Sequence, residues 1–136
     1  MKIYFASSTR ETYEDREMNF QIVQALRRYG KVFSERSELS DTSALGMKPR
    51  NSDIYQHEVG LLKDSDVLVA EVSEPSLGVG YEIALMEQMK KPVLCLFRKK
   101  EDHHALSVMV AGNEKLMIRQ YQGPLDLRRI FREFFK

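Results

Sequence analysis

The segment VLVAEVSEPSLGVGYE, residues 67–82, decides the fold of this chain. Its first four residues are continuously apolar, which is typical of a parallel strand covered by helices on both faces. A turn rich in proline, serine and glycine follows, and a helix is predicted to begin close to Gly78. A buried strand, a turn and a helix in this order indicate an α/β domain.

Outward from this segment, short apolar runs continue to alternate with helical patterns. Further strands are predicted over residues 3–6, 31–33, 93–97 and 116–118. Apolar residues recur at helical spacing around 18–29, 54–64, 83–89, 106–110 and 127–135, and Gly30 and Pro92 act as stop signals. We therefore predict one domain over residues 1–136, with a doubly wound, five-stranded parallel sheet of the flavodoxin-like kind and helices on both faces.

The composition narrows the class of protein. A formal net charge of +1 argues against nucleic acid or a membrane surface as the main partner. The single cysteine, Cys95, cannot form an internal disulfide, and its apolar neighbours indicate a small core residue rather than a reactive thiol. We expect a cytoplasmic protein without a signal peptide or membrane span. The polar segment 35–52 is predicted to be a flap over the site.

Ligands of an open α/β sheet bind beyond the carboxyl ends of the strands, near the point where the strand order reverses. The segments expected to meet there are 6–10, 71–81 and 98–107. In the second of them, the hydroxyl of Ser76 and the backbone N–H groups of a helix start favour a phosphate. Gly78 and Gly80 would let a ligand approach the backbone closely, although the third glycine of a dinucleotide-binding fingerprint is missing.

Glu82 follows this turn and has two interpretations. It is either a solvated glutamate favoured by the helix dipole or a carboxylate held beside a bound sugar. The adjacent His103 and His104 are poorly spaced for two ligands of one metal, so we interpret them as loop residues and predict no metal site.

At these positions the sequence resembles the 2′-deoxynucleoside 5′-monophosphate N-glycosidases, relatives of the nucleoside 2-deoxyribosyltransferases. The resemblance spans most of the chain and rests on residues 3–5, 66–72, 75–82, 94–98 and 106–107, with Met109 and Gly112. It implies a homodimeric hydrolase that needs no cofactor, binds a small nucleotide, and yields a free base and 2-deoxyribose 5-phosphate.

The resemblance also implies a role for each matching residue. Glu82 corresponds to the nucleophilic glutamate of the family, and Tyr4 to a tyrosine that orients its carboxylate. The substrate phosphate would be bound by Ser8, Arg10, Ser76 and, from the neighbouring subunit of the dimer, Ser107.

Two departures from the family pattern concern the first loop and the general acid. The family usually has glycine where this chain has Ser7, and a glycine pair at residues 11–12. Its acid is usually an aspartate eight residues before the aspartate that opens the third strand, and counting back from Asp66 reaches Glu58. Asp53 and His57 are nearby alternatives for the acid.

Glycosidic chemistry gives the two carboxyl groups distinct tasks. Departure of the base leaves positive charge on the sugar, which Glu82 can stabilise before it bonds to C1′, as in retaining glycosidases. Glu58 would protonate the leaving base. Two alternatives remain open: a transferase that exchanges bases on deoxyribose through the same Glu82, and a nucleotide-binding regulatory module without turnover. The serines assigned to the phosphate favour the nucleotide hydrolase.

Overall fold

The computed structural model describes residues 1–10, 12–34, 49–98 and 106–136. Their strands are β1 (Lys2–Ala6), β2 (Lys31–Ser34), β3 (Val67–Glu71), β4 (Val93–Phe97) and β5 (Met117–Gln120). Their helices are α1 (Tyr13–Leu26), α2 (Asn51–Asp64), α3 (Leu77–Gln88), α4 (Val108–Ala111) and α5 (Pro124–Phe134). Each strand and helix predicted from the sequence is present.

The strands form one parallel sheet in the order β2-β1-β3-β4-β5, which confirms the predicted flavodoxin-like architecture. The chain moves outward from β1 to β2 and then crosses back to β3, so the strand order reverses between β1 and β3. Ala6 pairs with Ala70 at the ends of these two strands. Ser7 and Glu71 therefore open the crevice in which this type of sheet binds ligands.

Apolar side chains of the central strands point alternately to two core layers. Ile3, Phe5, Val67 and Val69 pack under α1 and α5, whereas the intervening Tyr4, Ala6, Leu68 and Ala70 pack under α2 and α3. Burial of each such aliphatic or aromatic side chain contributes about 1.5–3 kcal/mol to the stability of the folded state. Burial on both faces explains why the strands read as continuous apolar runs.

Cys95 belongs to the second core layer, as predicted. Its side chain is buried, and burial raises the pKa of its thiol to about 12. It therefore stays protonated and unreactive at neutral pH.

Two helix boundaries differ from the sequence prediction. Helix α1 ends at Leu26, before Tyr29, and Gly30 has a second reason to be glycine: a Cβ there would lie 2.2 Å from the carbonyl oxygen of Met1. Helix α2 begins at Asn51, so the last two residues of the predicted flap are helical. The side chain of Asp53 accepts from the backbone N–H of Arg50 and starts the helix there.

Residues 35–48, which make up most of the predicted flap, lie outside the described residues. Within the described ranges, no helix combines the length and apolar character needed to cross a bilayer.

Candidate active site

The turn between β3 and α3 is organised by Ser76. The hydroxyl oxygen of Ser76 accepts a hydrogen bond from the backbone N–H of Val79 at 3.3 Å and so caps the helix. The hydroxyl hydrogen stays available to a ligand, because a serine oxygen can accept and donate at once. A Cβ at Gly78 would come no nearer than 3.9 Å to a neighbouring side chain, and one at Gly80 would meet nothing within 4 Å. Space is therefore open beside the turn.

A cavity of about 320 Å³ lies between α2 and α3, and both predicted catalytic glutamates line it. Glu58 reaches it from α2 and Glu82 from α3. Glu82 is only 6% exposed, and it borders this cavity. The volume falls within the range of small-molecule sites. The cavity is otherwise mainly apolar, and its further lining residues are Asn51, Ile54, Tyr55, Val59, Leu62, Gly78, Tyr81 and Leu85.

Two tyrosines at this cavity were missed in the sequence. The rings of Tyr55 and Tyr81 meet edge to face, with centroids 6.4 Å apart, and their hydroxyl oxygens are 3.5 Å apart. The hydrogen bond to Tyr55 raises the pKa of Tyr81, so that phenol stays neutral at physiological pH. Half-exposed aromatic rings beside two carboxyl groups offer a flat surface on which a base could stack. In the sequence, Tyr81 directly precedes Glu82, and Tyr55 lies one helical turn before Glu58. These spacings were the signal that could have identified the two tyrosines.

The alternatives to Glu58 fit less well. Asp53 does not line the cavity; it pairs with Arg50 at 3.1 Å, and this hydrogen bond lowers the pKa of its carboxyl group. A carboxylate held ionised in this way is a poor proton donor. His57 is half-buried and is also absent from the cavity lining. Of the three candidates, only Glu58 shares the cavity with Glu82.

Tyr4 lies in the middle of β1 and is fully buried. Its side chain packs in the core layer beneath α2 and α3, with Val79 and Ile83 of α3 as members of the same layer. The structure thus brings Tyr4 to the face of the sheet that carries Glu82.

The predicted phosphate ligands are distributed over more than one cavity. Ser76, Gly80 and Ser107 line a groove of about 660 Å³ between α3 and α4. Ser107 also caps α4, since its oxygen accepts from the backbone N–H of Met109 at 3.2 Å. Ser8 lies on the α1 side of the sheet, where its oxygen accepts from the backbone N–H of Arg10 at 3.1 Å. Arg10 is an exposed residue. These groups do not line one common cavity of a single chain.

A buried polar cluster on the α1 side of the crevice was not anticipated. Arg98, directly after β4, makes ion pairs of 2.9 Å with both Glu14 and Asp15. Glu71, at the end of β3, accepts hydrogen bonds from the backbone N–H of Ser73 and from the hydroxyl of Tyr121. Burial raises the pKa of the Glu71 carboxyl group, and burial and the nearby carboxyl group raise that of Tyr121. A charged residue directly after an apolar strand was the signal for this cluster.

The described residues contain no group of three or more His, Cys, Asp or Glu side chains that could hold a metal ion. His103 and His104 lie outside the described residues, as does the rest of the segment 99–105.

Comparison with known proteins supports the resemblance seen in the sequence. Residues 3–127 match the family described as nucleoside 2-deoxyribosyltransferase. A relative from Rattus norvegicus named 5-hydroxymethyl-dUMP N-hydrolase is 43% identical over 112 residues, covering 81% of this chain and 68% of the relative. A relative of the same name from Tetraodon nigroviridis is 38% identical over 143 residues, covering 99% of this chain and 97% of the relative.

Solved structures give the same fold. The crystal structure of a conserved protein from Enterococcus faecalis superposes with a TM-score of 0.72 at 22% identity, over 98% of each chain. The family match over residues 3–127 and the relative from Tetraodon nigroviridis show that the chain belongs to the nucleoside 2-deoxyribosyltransferase family.

Proposed function

We propose that this protein hydrolyses the N-glycosidic bond of 2′-deoxynucleoside 5′-monophosphates and releases a free base and 2-deoxyribose 5-phosphate. The observation that carries the proposal is the cavity that Glu58 and Glu82 share, which has the size of a small-molecule site. Most glycoside hydrolases use a pair of carboxyl groups at one site to cleave the glycosidic bond. The relatives named 5-hydroxymethyl-dUMP N-hydrolase support a nucleotide substrate and make a 5-substituted pyrimidine nucleotide the first to test.

In the proposed first step, a carboxylate oxygen of Glu82 bonds to C1′ while the bond between C1′ and the base nitrogen breaks. Glu58 gives its proton to the departing base, which leaves neutral. In the second step, water attacks C1′ and loses a proton to Glu58, and the bond to Glu82 breaks. Both residues return to their starting states, so Glu82 acts as nucleophile and Glu58 as acid and then base. No cofactor is required.

We assign the remaining predicted residues to orientation and binding. Burial of Tyr4 on the Glu82 side of the sheet suits a hydroxyl that orients that carboxylate. Ser76, with the helix start that includes Gly78 and Gly80, offers a hydroxyl and backbone N–H groups to the phosphate. Ser8 and Arg10 would reach the same phosphate from the loop after β1. Charge-assisted hydrogen bonds of this kind contribute about 1.5–3 kcal/mol each.

We propose that the active protein is a homodimer in which Ser107 completes the site of the neighbouring subunit. The groove between α3 and α4 supports this assembly. Leu77, Val108 and Met109 beside it are 97%, 82% and 80% exposed, although large apolar side chains are usually covered. Leu77 adjoins Ser76, and Val108 adjoins Ser107, so an interface formed here would bring serines of two chains to one place.

The test of the function is a panel of deoxy- and ribonucleoside monophosphates with the matching nucleosides, assayed for free base and for the sugar or sugar phosphate. We expect release of base from a deoxynucleotide, far faster than from the matching nucleoside. Nucleotide binding without base release would favour the regulatory module.

A second candidate function is base exchange by a transferase, because the matching family is described as nucleoside 2-deoxyribosyltransferase. The same assay with a second base present separates it from the hydrolase. Formation of a new nucleoside or nucleotide in preference to free sugar phosphate would make the transferase the better description.

The shared site can be tested by mixing two defective chains. Glu82→Ala and Ser107→Ala proteins, mixed after dissociation, form heterodimers with one intact site and one doubly defective site. We expect the mixture to be more active than either parent. If heterodimers form, Ser107→Ala is impaired and mixing restores nothing, then Ser107 serves its own subunit.

A further inference from the structure

The buried cluster around Arg98 connects three segments that meet at the crevice. The side chains of Arg98 and Asp15 are each only 9% exposed, so their ion pair is largely shielded from water. Glu14, the second partner of Arg98, is 76% exposed. The principal contact of the guanidinium group within the protein is therefore the one with Asp15, since exposed ion pairs contribute little.

Asp15 links Arg98 to the loop after β1. One of its oxygens accepts from Arg98, while the other accepts from the backbone N–H of Thr12 at 3.1 Å. The hydroxyl of Thr12 accepts in return from the backbone N–H of Asp15, which completes the cap of α1. The end of the loop that carries Ser8 and Arg10 is thus anchored to Arg98.

The backbone of Arg98 links the same cluster to the turn after β3. Its N–H donates to the hydroxyl of Ser73 at 2.8 Å, and the N–H of Ser73 donates to Glu71 at 2.6 Å. Ser73 lies in the turn that ends at Ser76. Both phosphate-binding segments of the proposed site are therefore attached to one residue.

Ser8 lies against this cluster. It lines, together with Asp15 and Arg98, a small cavity of about 10 Å³, close to the size of a single water molecule. Ser8 is itself only 7% exposed. Because so little space is free between Arg98 and Ser8, a shift of the Arg98 side chain would be transmitted to the loop that carries Ser8.

From these contacts we propose that Arg98 is a positioning residue for phosphate binding, which holds the loop of Ser8 and the turn of Ser76 at a fixed separation. The proposal rests on the proposed function, because the phosphate to be bound is that of the nucleotide. Arg98 need not touch the substrate. Its planar fork points two terminal nitrogens at two carboxylates in fixed directions, and the ammonium group of lysine lacks this fixed geometry.

Arg98→Lys is the variant that tests this role, because it keeps the charge and loses the fork. We expect the KM for the deoxynucleotide to rise about tenfold or more with kcat within about threefold, since the loss falls on phosphate binding. The kcat/KM for the matching nucleoside, which has no phosphate, should change less than about threefold. Arg119→Lys is the matched control, because Arg119 pairs with Glu133 at 2.7 Å on the surface. Its replacement should leave the kinetic constants for both substrates unchanged.

Calorimetric binding of 2-deoxyribose 5-phosphate provides a measurement that does not depend on turnover. Arg98→Lys should weaken this binding by about the same factor as the rise in KM. If the wild-type protein binds the sugar phosphate and releases no base from any nucleotide, the proposed function fails while the binding comparison still tests Arg98.

Thr12→Ala provides a second route if Arg98→Lys does not fold. It removes the hydroxyl that accepts from Asp15, whereas the backbone N–H of residue 12 can still donate to Asp15 and the buried ion pair stays in place. We therefore expect a smaller loss in the same direction, again selective for the phosphate. Equal losses on nucleotide and nucleoside in the folded variant, or unchanged affinity for 2-deoxyribose 5-phosphate, would overturn the proposal.

Discussion

Glu71 and Glu82 are both buried glutamates, 8% and 6% exposed, on opposite faces of the sheet. Glu71 sits in a closed cluster, where Ser73 and Tyr121 donate to its two oxygens. Glu82 borders an open cavity of about 320 Å³. The two glutamates are therefore similarly buried, but a ligand has access to the cavity beside Glu82. This contrast supports a structural task for Glu71 and the proposed chemical task for Glu82.

Exchange of each glutamate for glutamine provides the strongest test of that contrast. Glu82→Gln should lower kcat for base release by about 10³-fold or more, because an amide is a poor nucleophile, with little change in stability. Glu71→Gln should lower the free energy of unfolding by about 1–3 kcal/mol, because one hydrogen-bond acceptor becomes a donor, while kcat stays within a few-fold. Steady-state assays and urea titrations measure the two effects, and near-normal turnover by Glu82→Gln would remove it from the mechanism.

Glu58 sharpens the comparison within the open cavity. If it protonates the departing base, Glu58→Gln should slow release of poor leaving bases by about 10²–10⁴-fold, and release of an activated group such as p-nitrophenol far less. Asp53→Asn is the control, because Asp53 is held by Arg50 outside the cavity. Equal losses for both kinds of leaving group would give Glu58 a structural role instead.

The smallest expected effect concerns the pH dependence of stability in the closed cluster. Burial raises the pKa of Glu71 above its ordinary value of 4.5, so the folded state binds this proton more tightly than the unfolded state. Stability from this group is full below about pH 4.5 and falls as pH rises through the folded pKa. The free-energy difference between wild type and Glu71→Gln should shrink over that window. A difference that grows with pH, measured by urea titration, would contradict the raised pKa.

The architecture could be predicted because its signals are local. Continuous apolar runs such as 67–70 and 93–97 indicated buried parallel strands, and the segment ending at Glu82 indicated the candidate site. The partners of Arg98 could not be predicted, since Arg98 and Asp15 are 83 positions apart and meet only through the order of the strands. The pairing of Tyr55 with Tyr81 has the same cause, because it depends on how α2 lies against α3.

Cys95 has a practical consequence for spectroscopy. It is the single cysteine of the sequence, and its thiol is fully buried with a raised pKa. Maleimide and iodoacetamide reagents should therefore not react with it in the folded protein. The natural chain is in this sense already prepared for site-specific labelling. A cysteine introduced at Leu125, which is 79% exposed on α5 and lies on the opposite face of the sheet from the groove, would carry a fluorophore or spin label without removal of the native thiol. Distances between two such labels would then report how copies of the chain associate in solution.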